Sequence, residues 1–234
     1  MKKFDIYTDL ALEMAEQLQY GENTHLEGIE VDEQEHMGIL VHTVRIVNDA
    51  GAEAMGKPCG SYITIESPEI KVNNVNIHEE IITILADKLA QLADGVKGTV
   101  LVIGLGNRTV TPDSLGPKVL SKILITRHIM DNLPTGLKNL RSLCALAPGV
   151  MGLTGIETLE VVRGLVNHVK PALVIAIDAL AARQIDRINQ TIQITNTGIS
   201  PGAGVGNKRM SINQESLGVP VIAIGVPTAY IMQA

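Results

Sequence analysis

Residues 99–104 read TVLVIG, a short apolar run that ends in glycine and is followed by a polar, glycine-containing loop. Two runs of the same kind occur later, LVIAI at 173–177 and VPVIAI at 219–224. Continuous apolar runs of this length, without alternating polar residues, are typical of strands that are buried on both faces. Such strands lie in the middle of a sheet that carries helices on its two sides.

Segments with helical spacing separate these runs. Apolar residues recur every three or four positions at 81–92, 114–130 and about 156–169, and a further short strand is predicted at 143–146. Strands that alternate with helices favour parallel pairing through right-handed crossovers. The sequence therefore predicts an α/β fold with a mostly parallel central sheet flanked by helices, in a core of about residues 78–228.

The N-terminal third of the chain follows a different pattern. Helical spacing at residues 9–19 predicts a short amphipathic helix. Residues 36–47 and 61–66 have the composition and alternation of strands. We expect these two strands to pair as a β-ribbon that forms a small N-terminal β subdomain, about residues 36–66, outside the α/β core.

Composition and charge restrict the possible partners. The chain has 234 residues and a mass of 25.0 kDa, which suits one α/β domain. Its net charge of −6 and its aromatic content of 2% argue against binding to nucleic acid or to an anionic membrane. Cys59 and Cys144 are far apart in sequence and predict neither a disulfide framework nor a zinc site. The N-terminus does not resemble a signal peptide, so a cytoplasmic protein is expected.

Two acidic residues follow the predicted buried strands. Asp113 ends the loop after the first run, and Asp178 directly follows the second. Because the carboxyl ends of parallel strands share one edge of a sheet, both side chains are expected in one crevice. Taken alone, Asp113 also fits a helix N-cap, and Asp178 also fits a structural role at a strand end. As a pair they fit two kinds of chemistry, in which they either share one proton around a water molecule or bind a divalent metal.

Two glycine-containing loops flank the same crevice. Gly104, Gly106 and Asn107 begin the first loop and are candidate substrate-binding residues. Thr109 occupies the third glycine position of a dinucleotide fingerprint, so no nucleotide cofactor is predicted. The second loop, residues 198–209, is a candidate binding wall. Its candidate substrate-contacting residues are Gly202, Gly204, Lys208 and Arg209. The two cations fit either contact with an acidic substrate or simple solvent exposure.

Five blocks of the chain resemble the germination proteases of spore-forming bacteria, the endopeptidases that degrade small acid-soluble spore proteins. The blocks are VIGLGNRTVTPDSLGP (102–117), APGVMGLTGIET (147–158), VIAIDALAAR (174–183), IQITNTGISPGAGVGNKR (192–209) and LGVPVIAIGVPT (217–228). They occur in the family's order, and blocks of this length are far more specific than a short motif.

The resemblance implies an atypical aspartic peptidase whose two essential aspartates are Asp113 and Asp178. It also implies a homo-oligomer, a tetramer, that acts without a cofactor or metal. The implied substrates are small acid-soluble proteins of the forespore and spore core.

A more distant likeness is to the hydrogenase-maturation endopeptidases, which have a phosphorylase-like α/β fold. Gly104, Gly106, Asn107 and Asp113 match their loop, and Asp178 matches their second acid. Those relatives recognise nickel with a further histidine, and this chain has no histidine after Asp178. A metal-assisted peptidase in which both aspartates are ligands is the alternative enzyme.

The N-terminus carries another family feature. Residues 8–13 (TDLALE) resemble the sequence that the family cleaves, and family members are made as zymogens that remove a short leader at such a site. The resemblance implies a propeptide of residues 1–9 with an accessible cleavage site between Asp9 and Leu10, and a peptidase domain of residues 10–234. Relatives continue beyond the last block where this chain diverges, so C-terminal truncation is expected. An inactive homologue that only binds spore proteins is the non-enzyme alternative.

Overall fold

Eight strands and seven α-helices are present in the structure, a computed structural model that describes residues 8–21, 27–72, 74–132, 140–202 and 209–231. The strands are β1 (Ile29–His36), β2 (Ile39–Ile46), β3 (Gly60–Glu66), β4 (Val100–Gly104), β5 (Leu143–Leu146), β6 (Leu173–Ala182), β7 (Thr191–Thr195) and β8 (Val221–Tyr230). The α-helices are α1 (Ala11–Gly21), α2 (Asp49–Met55), α3 (Val75–Leu92), α4 (Leu115–Leu120), α5 (Met151–Thr154), α6 (Thr158–Val169) and α7 (Gln214–Leu217). Short 3₁₀ helices occupy Pro68–Lys71, Thr111–Asp113, Arg127–Asn132 and Ile185–Arg187.

All eight strands belong to one sheet, in the order β1-β2-β3-β7-β8-β6-β4-β5. Strands β8, β6, β4 and β5 are parallel, and the remaining neighbours are antiparallel. The α/β class is confirmed, but the prediction of a mostly parallel sheet is wrong, because four of the seven neighbouring pairs are antiparallel. The direction of pairing depends on connections that the apolar pattern does not encode. The turn Met37-Gly38, with φ of 51° and 77°, joins β1 and β2 as a tight hairpin.

The predicted N-terminal β subdomain is not separate from the core. Strand β3 pairs with β7, with Tyr62 opposite Thr195 and Ile65 opposite Ile192, so the N-terminal strands extend the main sheet. Strand β7 has only five residues (TIQIT) and lies in a segment that the sequence did not predict as a strand. Ile194, within this strand, is completely buried. The expected ribbon is therefore the antiparallel half of one continuous sheet.

The predicted helix at 114–130 is much shorter than its apolar spacing indicates. Helix α4 ends at Leu120, and Leu124 is 66% exposed. Thr126 then accepts a hydrogen bond from the Leu143 backbone N–H through its hydroxyl, and its own N–H donates to the Leu143 carbonyl. The chain is thus held against β5 by backbone pairing instead of continuing the helix.

The core has a layer on each face of the sheet. On one face, β4 contributes Val100 and Val102, which pack with Ile81 of α3. On the other face, a second cluster contains Leu101 and Ile103 of β4 with Leu159, Val162 and Val166 of α6. Each such buried aliphatic side chain contributes about 1.5–3 kcal/mol. Among the described residues, no helix combines the length and the apolar character that crossing a membrane requires.

Helix α4 lies unusually close to the carboxyl end of β4. A Cβ atom on Gly116 would lie 2.3 Å from the Leu105 carbonyl oxygen and 2.5 Å from the Ile177 carbonyl oxygen. A Cβ on Gly104 would lie 2.5 Å from the Gly116 carbonyl oxygen. Only glycine at both positions permits this approach. The approach fixes the loop between Gly104 and α4, which carries Asp113, against the middle of β6.

Candidate active site

Asp178 lies inside β6, opposite Gly225 of β8, and is only 6% exposed. Its Oδ1 atom accepts a hydrogen bond from the Ala179 backbone N–H at 2.8 Å. Burial raises the pKa of the Asp178 carboxyl to about 7; the bond from Ala179 lowers it, and the charges of Asp113 and Asp9 raise it further. Asp178 therefore tends to hold a proton near neutral pH.

Asp113 ends the 3₁₀ helix Thr111–Asp113 and is more exposed than Asp178. The Asn107 backbone N–H points to both the Asp113 carbonyl oxygen and its Oδ2 atom, each at 2.8 Å. Burial raises the pKa of Asp113, while the bond from Asn107 and the charge of Arg209 lower it. The N-cap of α4 is Ser114, so the interpretation of Asp113 as that N-cap is wrong.

Gly106 permits the turn that brings Asp113 back to Asn107. Its φ is 103°, a conformation that side-chain-bearing residues rarely adopt. A Cβ atom there would lie 2.1 Å from the Asp113 carbonyl oxygen and 2.8 Å from Asp113 Oδ1. The chain also fixes this loop from β8, where the Thr228 hydroxyl donates to the Pro112 carbonyl at 2.5 Å. The orientation of Asp113 is thus set by backbone geometry.

Asp113 and Asp178 line one cavity of about 350 Å³. The sequence-predicted residues that also line it are Asp9, Gly106, Gly202 and Arg209. Further lining residues, which the sequence did not predict, include Gly149, Val150, Thr158, Ser200, Pro201 and Thr228. Gly149, Ser200 and Pro201 are small or proline residues of loops. Such residues do not indicate a chemical role in the sequence.

The remaining predicted residues have other positions. Gly104 packs against α4, and Asn107 holds Asp113 through its backbone N–H; neither lines the cavity. Leu10 is completely buried beside Leu180. The predicted contacts Gly204 and Lys208 lie outside the described residues.

Asp9 is held against β6. Its backbone N–H donates to the Ala181 carbonyl at 3.1 Å, and the Ala181 N–H donates to Asp9 Oδ2 at 2.8 Å. Thr8 is 8% exposed and Leu10 is fully buried, so the expectation of an accessible site between Asp9 and Leu10 is wrong. The segment is instead docked in the wall of the cavity that holds the two aspartates.

The described part of the site offers few ligands for a metal ion. Within the described residues, no group of three or more His, Cys, Asp and Glu side chains has an arrangement that could hold a metal ion. The two aspartates alone are a weak donor set for a divalent cation, which usually takes six or more oxygen ligands.

Comparison with known proteins decides the family. The family model described as germination protease matches residues 8–233. The chain belongs to the germination protease family. A germination protease of Caldanaerobacter subterraneus subsp. tengcongensis is 51% identical over 225 residues, which are 95% of this chain and 68% of the relative. One of Clostridium perfringens is 48% identical over 228 residues, 96% of this chain and 70% of the relative. One of Bacillus cytotoxicus is 46% identical over 235 residues, 97% of this chain and 64% of the relative.

Membership of the germination protease family makes the chain a protease, and the resemblance of the five sequence blocks is confirmed. Asp113 and Asp178 lie in the matched region, and with Asp9 they are the acids that line the cavity beyond the carboxyl end of β4 and beside the C-terminal half of β6.

The raised pKa of Asp178 predicts a stability effect that depends on pH. Because the folded-state pKa of about 7 lies above the value of about 3.9 in an unfolded chain, Asp178 favours folding less and less as the pH rises from about 4 to 7. Asp178→Asn keeps a neutral side chain and avoids this loss. We expect the stability of the variant relative to the parent to be greater at pH 8 than at pH 5 by about 3 kcal/mol, since the parent loses about 1.4 kcal/mol for each pH unit between 5 and 7.

Thermal or urea unfolding of both proteins at the two pH values measures this difference. Asp186→Asn, at an exposed position, is the matched control and should have the same effect at both. A difference between Asp178→Asn and the parent that does not change with pH would mean that Asp178 titrates normally.

Proposed function

We propose that the chain is an aspartate-dependent endopeptidase precursor that initiates the degradation of small acid-soluble spore proteins during spore germination. The observation that carries the proposal is the pair of carboxyls, Asp113 and Asp178, in one cavity with different environments. Paired acids with separated pKa values are a common basis for acid–base hydrolysis of peptide bonds. The substrate class is carried by the family resemblance.

The different environments of Asp113 and Asp178 favour different roles for the two acids. Burial raises the pKa of Asp113, but this residue is more exposed than Asp178, and the Asn107 N–H and the charge of Arg209 favour its ionised form, so it acts as the general base that takes a proton from water. Asp178 is buried and retains its proton near neutral pH, so it acts as the general acid toward the scissile peptide. The water oxygen bonds to the carbonyl carbon, the C–N bond breaks, and the leaving nitrogen receives the proton.

The precursor form belongs to the same proposal. The Asp9–Leu10 bond is the processing site, and Asp9 already lines the cavity of the two aspartates. While residues 1–9 remain, Asp9 occupies part of this cavity, which keeps the enzyme latent toward other substrates. Acid conditions, which accompany spore maturation, favour processing because they bring the pair into the state with one proton.

Homotetramer formation and a location in the forespore and spore core complete the proposal. The N-terminal strands do not form a separate two-stranded ribbon that would need a partner to be stable, because they are integrated into the main sheet. The tetramer therefore rests on the family resemblance, and light scattering of the purified chain tests it directly.

Processing can be tested with the purified chain alone. After mild acid incubation, we expect N-terminal sequencing and intact mass to show a new terminus at Leu10. The Asp113→Asn variant should remain uncut, because its base is removed, and Asp186→Asn should be processed like the parent. A new terminus at another residue, or cleavage of Asp113→Asn at the parent rate, would contradict processing by this site.

The same preparations test the two alternatives. Processed protein is incubated with a peptide that contains TDLALE, in the presence and absence of a strong chelator. Cleavage that persists after exhaustive chelation argues against a metal-assisted peptidase in which both aspartates are ligands. Binding of the peptide without cleavage would instead favour an inactive homologue that only binds spore proteins.

A further inference from the structure

A second cavity, of about 170 Å³, adjoins the cavity of the two aspartates. Four residues line both cavities: Asp9, Leu180, Ile199 and Ser200. Lys57 and Gln193 line the second cavity, whereas Asp113 and Asp178 line the first. The residue whose carbonyl belongs to the proposed processing bond thus lies in the wall between two cavities with different chemistry.

The backbone carbonyl oxygen of Asp9 has two side-chain donors. Lys57 Nζ donates to it at 3.1 Å, and Gln193 Nε2 donates to it at 3.1 Å. Lys57 Nζ is also within 3.3 Å of the Thr8 carbonyl oxygen. Two donors on one peptide oxygen, one of them cationic, polarise that carbonyl and stabilise negative charge that develops on it.

Both donors are held in place by the fold. Gly56, with a φ of 59°, is the C-cap of helix α2, and the Lys57 N–H donates back to the Ala52 carbonyl. The Tyr62 hydroxyl donates to the Pro58 carbonyl at 2.8 Å, which fixes the loop on the other side of Lys57. These contacts fix the backbone on both sides of Lys57 without the help of a bound substrate.

Gln193 is held from both ends of its amide group. It is 6% exposed and projects from β7, and its Oε1 atom accepts the Ala11 backbone N–H at 2.7 Å while Nε2 donates to Asp9. One side chain thus contacts the main chain on both sides of the Asp9–Leu10 bond. Burial lowers the pKa of Lys57, and the charges of Asp9 and Glu13 oppose this effect.

We propose that Lys57 and Gln193 are catalytic residues for cleavage of the Asp9–Leu10 bond, which bind the carbonyl oxygen of Asp9 and stabilise the oxyanion formed there. This inference rests on the proposed function, in which Asp113 and Asp178 activate the water. Water attacks the carbonyl carbon from the aspartate cavity while the oxygen is held from the second cavity. When the tetrahedral intermediate collapses, the C–N bond breaks and the proton of Asp178 passes to the Leu10 nitrogen, because the carbonyl oxygen already has its two donors.

The test compares variants of the full chain under the conditions that process the parent. Lys57→Met keeps the length of the side chain and removes its donors, and we expect the Leu10 terminus to appear about 100-fold more slowly, as for the loss of one oxyanion donor. Lys57→Arg keeps cationic donors and should recover most of the rate. Lys71→Met, at an exposed lysine, is the control and should be processed like the parent.

Gln193→Glu is an independent variant that retains the acceptor for Ala11 and removes the donor to Asp9. It should also slow processing by tenfold or more, and it keeps the proposal testable if Lys57→Met does not fold, which thermal unfolding reveals. Processing of Lys57→Met at the parent rate, or equal slowing of Lys57→Met and Lys57→Arg, would overturn the role of Lys57. Failure of the parent to form a Leu10 terminus would overturn both proposals. Processing of Asp113→Asn at the parent rate would overturn the aspartate mechanism alone.

Discussion

Asp113→Asn and Asp178→Asn are each expected to reduce peptidase activity by about 1000-fold or more, with little change in fold. General acid–base catalysis by one positioned group contributes about 100- to 10,000-fold, and each substitution removes one member of a cooperating pair. Asparagine has nearly the size of aspartate, and at position 178 it retains an oxygen that can accept the Ala179 N–H. Initial rates on a peptide that contains TDLALE, with circular dichroism of each variant, measure the effect.

The double variant makes the test sharper. Since the two groups act on the same water and the same peptide, Asp113→Asn combined with Asp178→Asn should cost little more than either single change. Asp186→Asn, at an exposed acid of the 3₁₀ helix Ile185–Arg187, should leave the rate unchanged. Near-parental turnover in either single variant would show that the residue is not part of the catalytic pair.

Arg187→Met is expected to lower the free energy of unfolding by about 3–5 kcal/mol at neutral pH. Arg187 is 8% exposed, and its guanidinium contacts Glu16 at 2.6 Å and Glu66 at 2.8 Å, with Glu13 at 3.8 Å. Removal of the cation leaves buried carboxylates without their main counter-charge. The pKa of Glu66 illustrates the balance, because burial raises it while His42 and Arg187 together bring it below its usual value.

Urea unfolding of Arg187→Met and the parent measures this loss. Arg45→Met is the matched control, since Arg45 and Glu30 form a pair at 3.6 Å in which both side chains are more than half exposed. That substitution should cost less than about 1 kcal/mol. Equal effects of the two substitutions would mean that the buried cluster contributes no more than an exposed pair.

The same cluster connects stability to the proposed processing. Glu13 and Glu16 belong to α1, which directly follows Leu10. Their partner Arg187 ends the 3₁₀ helix Ile185–Arg187, and Glu66 ends β3. Glu13 also accepts the backbone N–H groups of Arg183 and Gln184, at 2.9 Å for each closest pair. The segment around Asp9 is therefore fixed by charges and backbone bonds just downstream of the bond to be cut.

The elements that the sequence predicted well are those whose pattern is set by burial on both faces. Strands β4, β6 and β8 were identified because each is a continuous apolar run. Strand β1 was not, because it is an edge strand with an acidic, mostly exposed sequence (IEVDEQEH). The order and direction of the strands depend on which backbone edges meet, and no local pattern of side chains records that choice.

The residues of the site also differ in whether the sequence could predict them. Asp113 and Asp178 were predicted because the carboxyl ends of parallel strands converge, and that half of the sheet is parallel. Lys57 and Gln193 were not, since Lys57 follows a short helix and Gln193 lies on the unpredicted strand β7. Their proximity to Asp9 arises only when β3 pairs with β7 and brings distant parts of the chain together.

The pH dependence of kcat/KM for cleavage of a TDLALE peptide by the processed protein is the most direct test of the aspartate pair. We expect a bell-shaped profile, because Asp113 must be ionised and Asp178 must be protonated. Activity should decrease as the pH rises through about 7, where Asp178 loses its proton, and decrease again in acid as Asp113 gains one. A rate that is constant from pH 5 to pH 9 would contradict catalysis by this pair.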